Sequence, residues 1–177
     1  MAKSKWALDP THSSVTFTIR HMMFSKVKGA FNRFDASIEA DPHDLTTADI
    51  AFTVDLASVD TNNSDRDNHL RSPDFFDVEK HPNMTFKATR IEKTGEGRYK
   101  VTGDLSLHGV TRSETFDVVF EGEGKDPWGN VKAAFHAEGV VNRKDYGLNW
   151  NAVLETGGFL VGDEVKVEID IQAAKQS

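Results

Sequence analysis

Cysteine is absent from the 177 residues, and with it go disulfide scaffolds, thiolate zinc sites and cysteine nucleophiles. No apolar run approaches the roughly 20 residues of a spanning helix, because charged side chains interrupt every candidate. Positive charge is in deficit. The 21 lysines and arginines face 28 aspartates and glutamates, a formal charge of −7, so phosphate backbones are repelled on average and nucleic acid is not an expected partner. The amino end, Met-Ala-Lys-Ser-Lys-Trp running into Asp9-Pro10, has none of the roughly 7 to 15 apolar residues of a secretory signal, so the sequence as given predicts a cytoplasmic protein. Catalytic signatures are missing too. Ser13 or Ser106 can be set beside His12 or His108 and Asp9 or Asp104 on paper, but no Gly-x-Ser-x-Gly elbow supports a nucleophile. His12, His21, His69 and His108 lack a spacing such as His-Glu-x-x-His, so neither a metal nor a cofactor is expected.

What the chain has is alternation of period two, which puts successive side chains on opposite faces of a strand. Val15, Phe17 and Ile19 alternate with polar residues, and His21 falls on their apolar face. The run from Val27 to Ala40 changes phase near Asn32 and Arg33, where a bulge is expected. Further strands carry Ile50 to Leu56, Met84 to Ala88, Tyr99 to Leu107, Phe116 to Phe120, Val131 to Val141 and Val165 to Ile171. Ser64-Asp65-Arg66-Asp67 reads as a Ser-x-x-Asp cap, so one short helical insertion is expected near residues 64–77, ended by Pro73.

Eight antiparallel strands and no dividing linker predict one all-β domain over residues 1–177, a closed barrel with a two-sheet sandwich as its rival. An eight-stranded barrel is either packed solid or roomy enough for one small ligand. Phenylalanines at 17, 31, 52, 86, 116, 120 and 135 on apolar faces suit a packed aromatic core. Gly29, Ala88, Gly103, Ala133, Ala137 and Gly139 on the same faces suggest space beside the rings. Both readings stand at this point.

An ordered set of short motifs resembles the YceI-like, polyisoprenoid-binding family. The set runs through Trp6-Ala7-Leu8-Asp9-Pro10-Thr11-His12-Ser13, Val15-x-Phe17, His21, Val27-x-Gly29-x-Phe31, Ser58-Val59-Asp60-Thr61 and Asp67-x-His69-Leu70. It continues with Asp74-Phe75-Phe76-Asp77-Val78, Pro82, Phe86, Gly103-Asp104-Leu105-Ser106-Leu107-His108-Gly109-Val110-Thr111, Arg143-Lys144-Asp145-Tyr146-Gly147 and Val161-Gly162-Asp163-Glu164-Val165. The resemblance implies a lipocalin-like barrel that holds a polyisoprenoid or similar long-chain lipid, such as an isoprenoid quinone or a prenyl diphosphate, for transport or storage. It implies no catalytic residue and, in some members, a homodimer. Many relatives carry a signal peptide; this sequence shows none.

On that reading Phe17, Ile19, Phe31, Phe52, Phe86, Leu105, Phe116 and Phe135 are the candidate lining. Leu70, Phe75 and Phe76 form either a helical flap over one end or a plug that seals the bottom. Arg20, His21, Arg143 and Lys144 are candidates for a diphosphate head group, with a loop-fixing Arg143–Asp145 pair as the plainer reading. Trp6 is expected to close the barrel, with Trp128 and Trp150 near a rim. Two other functions remain open: an interaction module with a solid core and, less simply, a hydrolase. A filled interior would favour the module and a long apolar cavity the container.

Overall fold

The structure, a computed structural model, describes residues 3–22, 24–151 and 161–176. Eleven strands are assigned: β1 (Ser4–Leu8), β2 (Ser14–His21), β3 (Ser25–Phe31), β4 (Phe34–Asp41), β5 (Asp44–Asp55), β6 (Val59–Asp60), β7 (Asn83–Gly95), β8 (Arg98–Leu107), β9 (Val110–Lys125), β10 (Val131–Asn142) and β11 (Val161–Lys175). Two long strands are broken in the middle. β1 and β2 form one of them, interrupted by the 3-10 turn Pro10–His12, and β3 and β4 form its partner. Counted this way, and leaving aside the two-residue β6, which pairs only with β3, eight antiparallel strands among the described residues close into a barrel, since β11 pairs with β10 on one side and with both β1 and β2 on the other. No sheet edge is left along that seam.

The phase change after Phe31 is a break rather than a bulge. Asn32 and Arg33 turn their backbone N–H groups away from the barrel ladder to Ser58, onto its carbonyl and its hydroxyl. The hairpin from β8 to β9 is a two-residue turn with positive φ at His108 (55°) and Gly109 (76°), the type I′ geometry whose twist suits antiparallel strands.

The helix α1 spans Ser64–Arg71, and Ser72 caps it just before Pro73. Its N-cap is Asn63, one residue earlier than the sequence suggests, because the Asn63 side chain accepts from Arg66 N–H. Asp67 serves elsewhere. Its buried carboxylate accepts from the backbone N–H and the hydroxyl of Thr61, at 2.9 and 2.6 Å. Arg66 donates back to Thr61, and Arg71 donates to the carbonyls of Ala57 and Val59. The helix is thus tied to the segment before it by its own polar face.

Two apolar clusters occupy opposite ends of the barrel. One gathers Trp6, Ala40, Leu45, Tyr99, Ala133, Ile171 and Ala173. The other centres on Val15, Phe31, Leu56, Val59, Leu107, Phe116, Val141 and Tyr146, with Leu70 and Phe76 packed on it.

Candidate functional site

Between these clusters runs a cavity of about 610 Å³, inside the roughly 300 to 1,000 Å³ typical of ligand sites. Every strand of the barrel contributes side chains to it, and nearly all are apolar. The interior is therefore not packed solid, contrary to what the filled-core reading requires.

The glycines explain how so many rings leave room, and here the sequence reading needs correction. Gly29, Gly103 and Gly139 are not empty space. A Cβ at Gly29 would stand 2.3 Å from Cζ of Phe17, one at Gly103 2.6 Å from Cζ of Phe86, and one at Gly139 2.6 Å from Cδ1 of Phe116. Each ring lies over the bare backbone of a neighbouring strand. The space that the missing side chains vacate is filled by phenyl groups, and what stays open is the barrel axis.

Trp6 and Leu45 stand at the closed end, where the indole N–H donates 3.1 Å to Ala40 O. Phe52 and Phe135 line the cavity towards it, and Phe135 lies 5.2 Å from the ring of Phe120. Phe17, Ile19, Phe31, Phe86, Leu105 and Phe116 line the body. Leu70, Phe75 and Phe76 reach it from α1 and the turn that follows, as a moored cover: Phe76 meets Phe31 at 5.9 Å, and Phe75 packs with His69 and Trp150.

The charged, amide and imidazole side chains on the lining gather at this covered end, which forms the mouth: Arg20, His21, Asn63, Asp65, Arg66, His69 and Arg143. Among the described residues Arg20 and His21 make no side-chain hydrogen bond or ion pair, so a ligand's head group would find their donors available. Arg143 is differently employed. It is buried, and its guanidinium donates to the carbonyls of Gly162, Leu148, Trp150 and Val161. Asp163 lies 4.0 Å away, in place of the Asp145 partner considered from sequence. Burial pushes its pKa below the usual arginine value and Asp163 opposes that shift. It acts as a strut joining residues 148–150 to 161–162, reinforced by Asn151, whose side chain donates to and accepts from the Val161 backbone. Lys144 does not line the cavity; its ammonium is 3.4 Å from Asp163. Trp150 is at the mouth, whereas Trp128 is 83 % exposed in the β9–β10 hairpin at the other end.

The paper triads do not assemble. Ser13 Oγ is engaged with the Gln172 backbone, His12 faces Asp9 and Thr11, Ser106 faces Thr111, and His108 Nδ1 faces the Tyr146 carbonyl. Beside the mouth-end cluster, the buried Tyr146 hydroxyl donates to Glu114, and burial first, then that carboxylate, raises its pKa. Outside the barrel, His136, Glu138 and Glu168 bring potential metal-ligand atoms within 4.8 Å of one another. His136 already lies between Asp170 (2.7 Å) and Glu138 (3.2 Å), and the hydrogen bond with Asp170 is the main cause of its raised pKa. Sequence spacing missed this group because its members come from two strands paired in register.

Residues 6–173 match the family model of the YceI-like domain. A UPF0312 protein of Staphylococcus epidermidis is 44 % identical over 166 residues, covering 93 % of this chain and 94 % of its own length. Among solved structures, BcnA of Burkholderia cenocepacia superposes with a TM-score of 0.82 at 24 % identity, covering 93 % of this chain and 98 % of its own. A polyisoprenoid-binding domain from Saccharophagus degradans does so with a TM-score of 0.69 at 17 % identity, over 98 % and 99 % of the two chains. At those identities both likenesses are likenesses of fold.

Proposed function

The chain belongs to the YceI-like family, and we propose that it is a binding protein whose lumen holds one long apolar lipid, a polyisoprenoid or an isoprenoid quinone tail, for carriage or storage. The observation that carries this reading is the apolar lumen itself, closed by Trp6 and Leu45 at one end and polar only at the other. A tail enters first and the head group stays at the mouth. Burying hydrocarbon yields about 0.8 kcal/mol per methylene, and the cost of ordering a flexible chain reduces that sum. No anchoring bond is needed for affinity. Arg20 and His21 then select the head group, and a diphosphate suits the guanidinium. The name of the Saccharophagus degradans neighbour agrees with such a ligand.

Native mass spectrometry of the protein from its own source, followed by organic extraction, tests the reading. A stoichiometric isoprenoid or quinone is expected. Protein that arrives empty and takes up no added polyprenol overturns it.

A further inference from the structure

The turn joining β2 to β3 sits beside the mouth, because β2 runs into it directly from Arg20 and His21. Two of its apolar side chains are exposed: Phe24 by 77 % and Met22 by 40 %. Among the described residues neither side chain joins the barrel's apolar clusters, and a phenyl ring exposed at a hairpin tip gains only by being covered. The charge along the hairpin itself is as unusual as its hydrophobicity, with the nearest acidic pair, Asp163 and Glu164, in the bulge of β11 beside Arg20. Residues 10–34 contain no aspartate or glutamate and four cations, Arg20, Lys26, Lys28 and Arg33, in a chain of net charge −7. Arg20 stands opposite Lys26 and Thr18 opposite Lys28 in the β2–β3 register. All three cations are exposed, and among the described residues none makes a side-chain hydrogen bond or ion pair.

We propose that this hairpin docks the protein on an anionic lipid bilayer, with Met22 and Phe24 entering the interface and Arg20, Lys26 and Lys28 meeting the head groups. An apolar tip with Arg20, Lys26 and Lys28 on its two strands suits that surface, since rings partition into the head-group boundary while lysine and arginine gain from its negative potential. A second copy of the chain fits worse, because two such hairpins face to face would set like charges against each other. Docking points the mouth at the membrane, so a tail could pass between bilayer and lumen with little exposure to water. That purpose rests on the lipid-container reading, whereas the docking geometry does not. With two apolar side chains and three cations the attachment is weak and reversible.

Co-sedimentation with vesicles of phosphatidylcholine and phosphatidylserine tests the proposal on the full chain. Wild type is expected to bind these vesicles at low ionic strength, to release as salt rises, and to bind phosphatidylcholine alone much less. Phe24→Ser should weaken binding by about tenfold, and Lys26→Glu/Lys28→Glu by at least about fivefold per residue. Trp128→Ser, which removes an exposed ring at the opposite end, should change nothing. The proposal falls if wild type does not bind, if the hairpin variants bind like wild type, if Trp128→Ser is the variant that fails, or if Phe24 supports a dimer in place of vesicle binding. Uptake of a polyprenol from detergent micelles by the same preparations separates the two readings. Uptake without vesicle binding overturns docking and leaves the container, whereas Phe24-dependent binding without uptake sustains docking and overturns the container.

Discussion

At the closed end of the barrel, Trp6, Leu45, Tyr99 and Ala173 exclude water by packing side chain on side chain, with one indole hydrogen bond to Ala40 O to satisfy the only polar atom of the tryptophan. At the mouth, the same barrel is held by Arg143 donating to four backbone carbonyls and by the polar face of α1 tied to residues 57–61. The difference teaches how a barrel can be stable around an open lumen. Apolar packing secures the end that never opens. At the end where the proposed ligand would enter, polar struts hold the backbone and leave apolar surface uncommitted.

Substitutions that exchange these two devices should expose the contrast. Trp6→Ala is expected to cost about 3 to 5 kcal/mol, read from urea unfolding, whereas Trp150→Ala at the mouth should cost less than half as much. Equal losses would erase the distinction. Arg143→Met should cost about 2 to 4 kcal/mol by leaving buried carbonyls without a donor, although methionine preserves much of the apolar contact. Gly29→Ala should cost about 1 to 3 kcal/mol through overpacking against Phe17. Adding Phe17→Leu should restore part of that loss; simple additivity of the two changes would show that the ring does not rest on the glycine.

Phe135→Trp, which narrows the lumen near the closed end, should weaken a long polyprenol by about tenfold and a short one hardly at all. Arg20→Ala at the mouth should instead weaken a prenyl diphosphate relative to the corresponding alcohol. Smallest is the effect of His136→Ala on the outer wall, under about 1 kcal/mol for a partly exposed pair. Its raised pKa fixes the sign. The stabilisation is fully present below the unfolded value of about 6.5 and disappears as pH rises through the higher folded value. Urea midpoints of wild type and variant should therefore converge in alkaline buffer.

Sequence periodicity made most strands legible, because a half-buried strand writes its two faces into alternate letters: Tyr99 to Leu107 lies in β8, and Val165 to Ile171 in β11. β1 was not legible as a strand. Only five residues long, it is defined by pairing with Ile38 to Ala40 and Ala173 to Lys175, partners no local pattern announces. The eleven apolar residues singled out as lining or flap all face one cavity, since inward phase identifies wall residues without revealing how they pack. The seating of Phe17, Phe86 and Phe116 over glycines was misread as vacancy because a one-dimensional pattern does not say which ring covers which gap. Arg143 was equally opaque: its partners are carbonyls, which every residue carries.

The seam between β1 and β11 joins residues 6–8 to residues 173–175. Those contacts span almost the whole sequence, and such topologies fold slowly because the entropy of closing so long a loop is lost before the contacts repay it. During synthesis the apolar inner face stays open along one edge until the last strand emerges, and a growing chain in that condition is prone to aggregate or to engage a chaperone. Under the proposed function, a lipid that met the half-formed sheet would find the future lumen accessible from the side, where the closed seam bars it in the finished barrel.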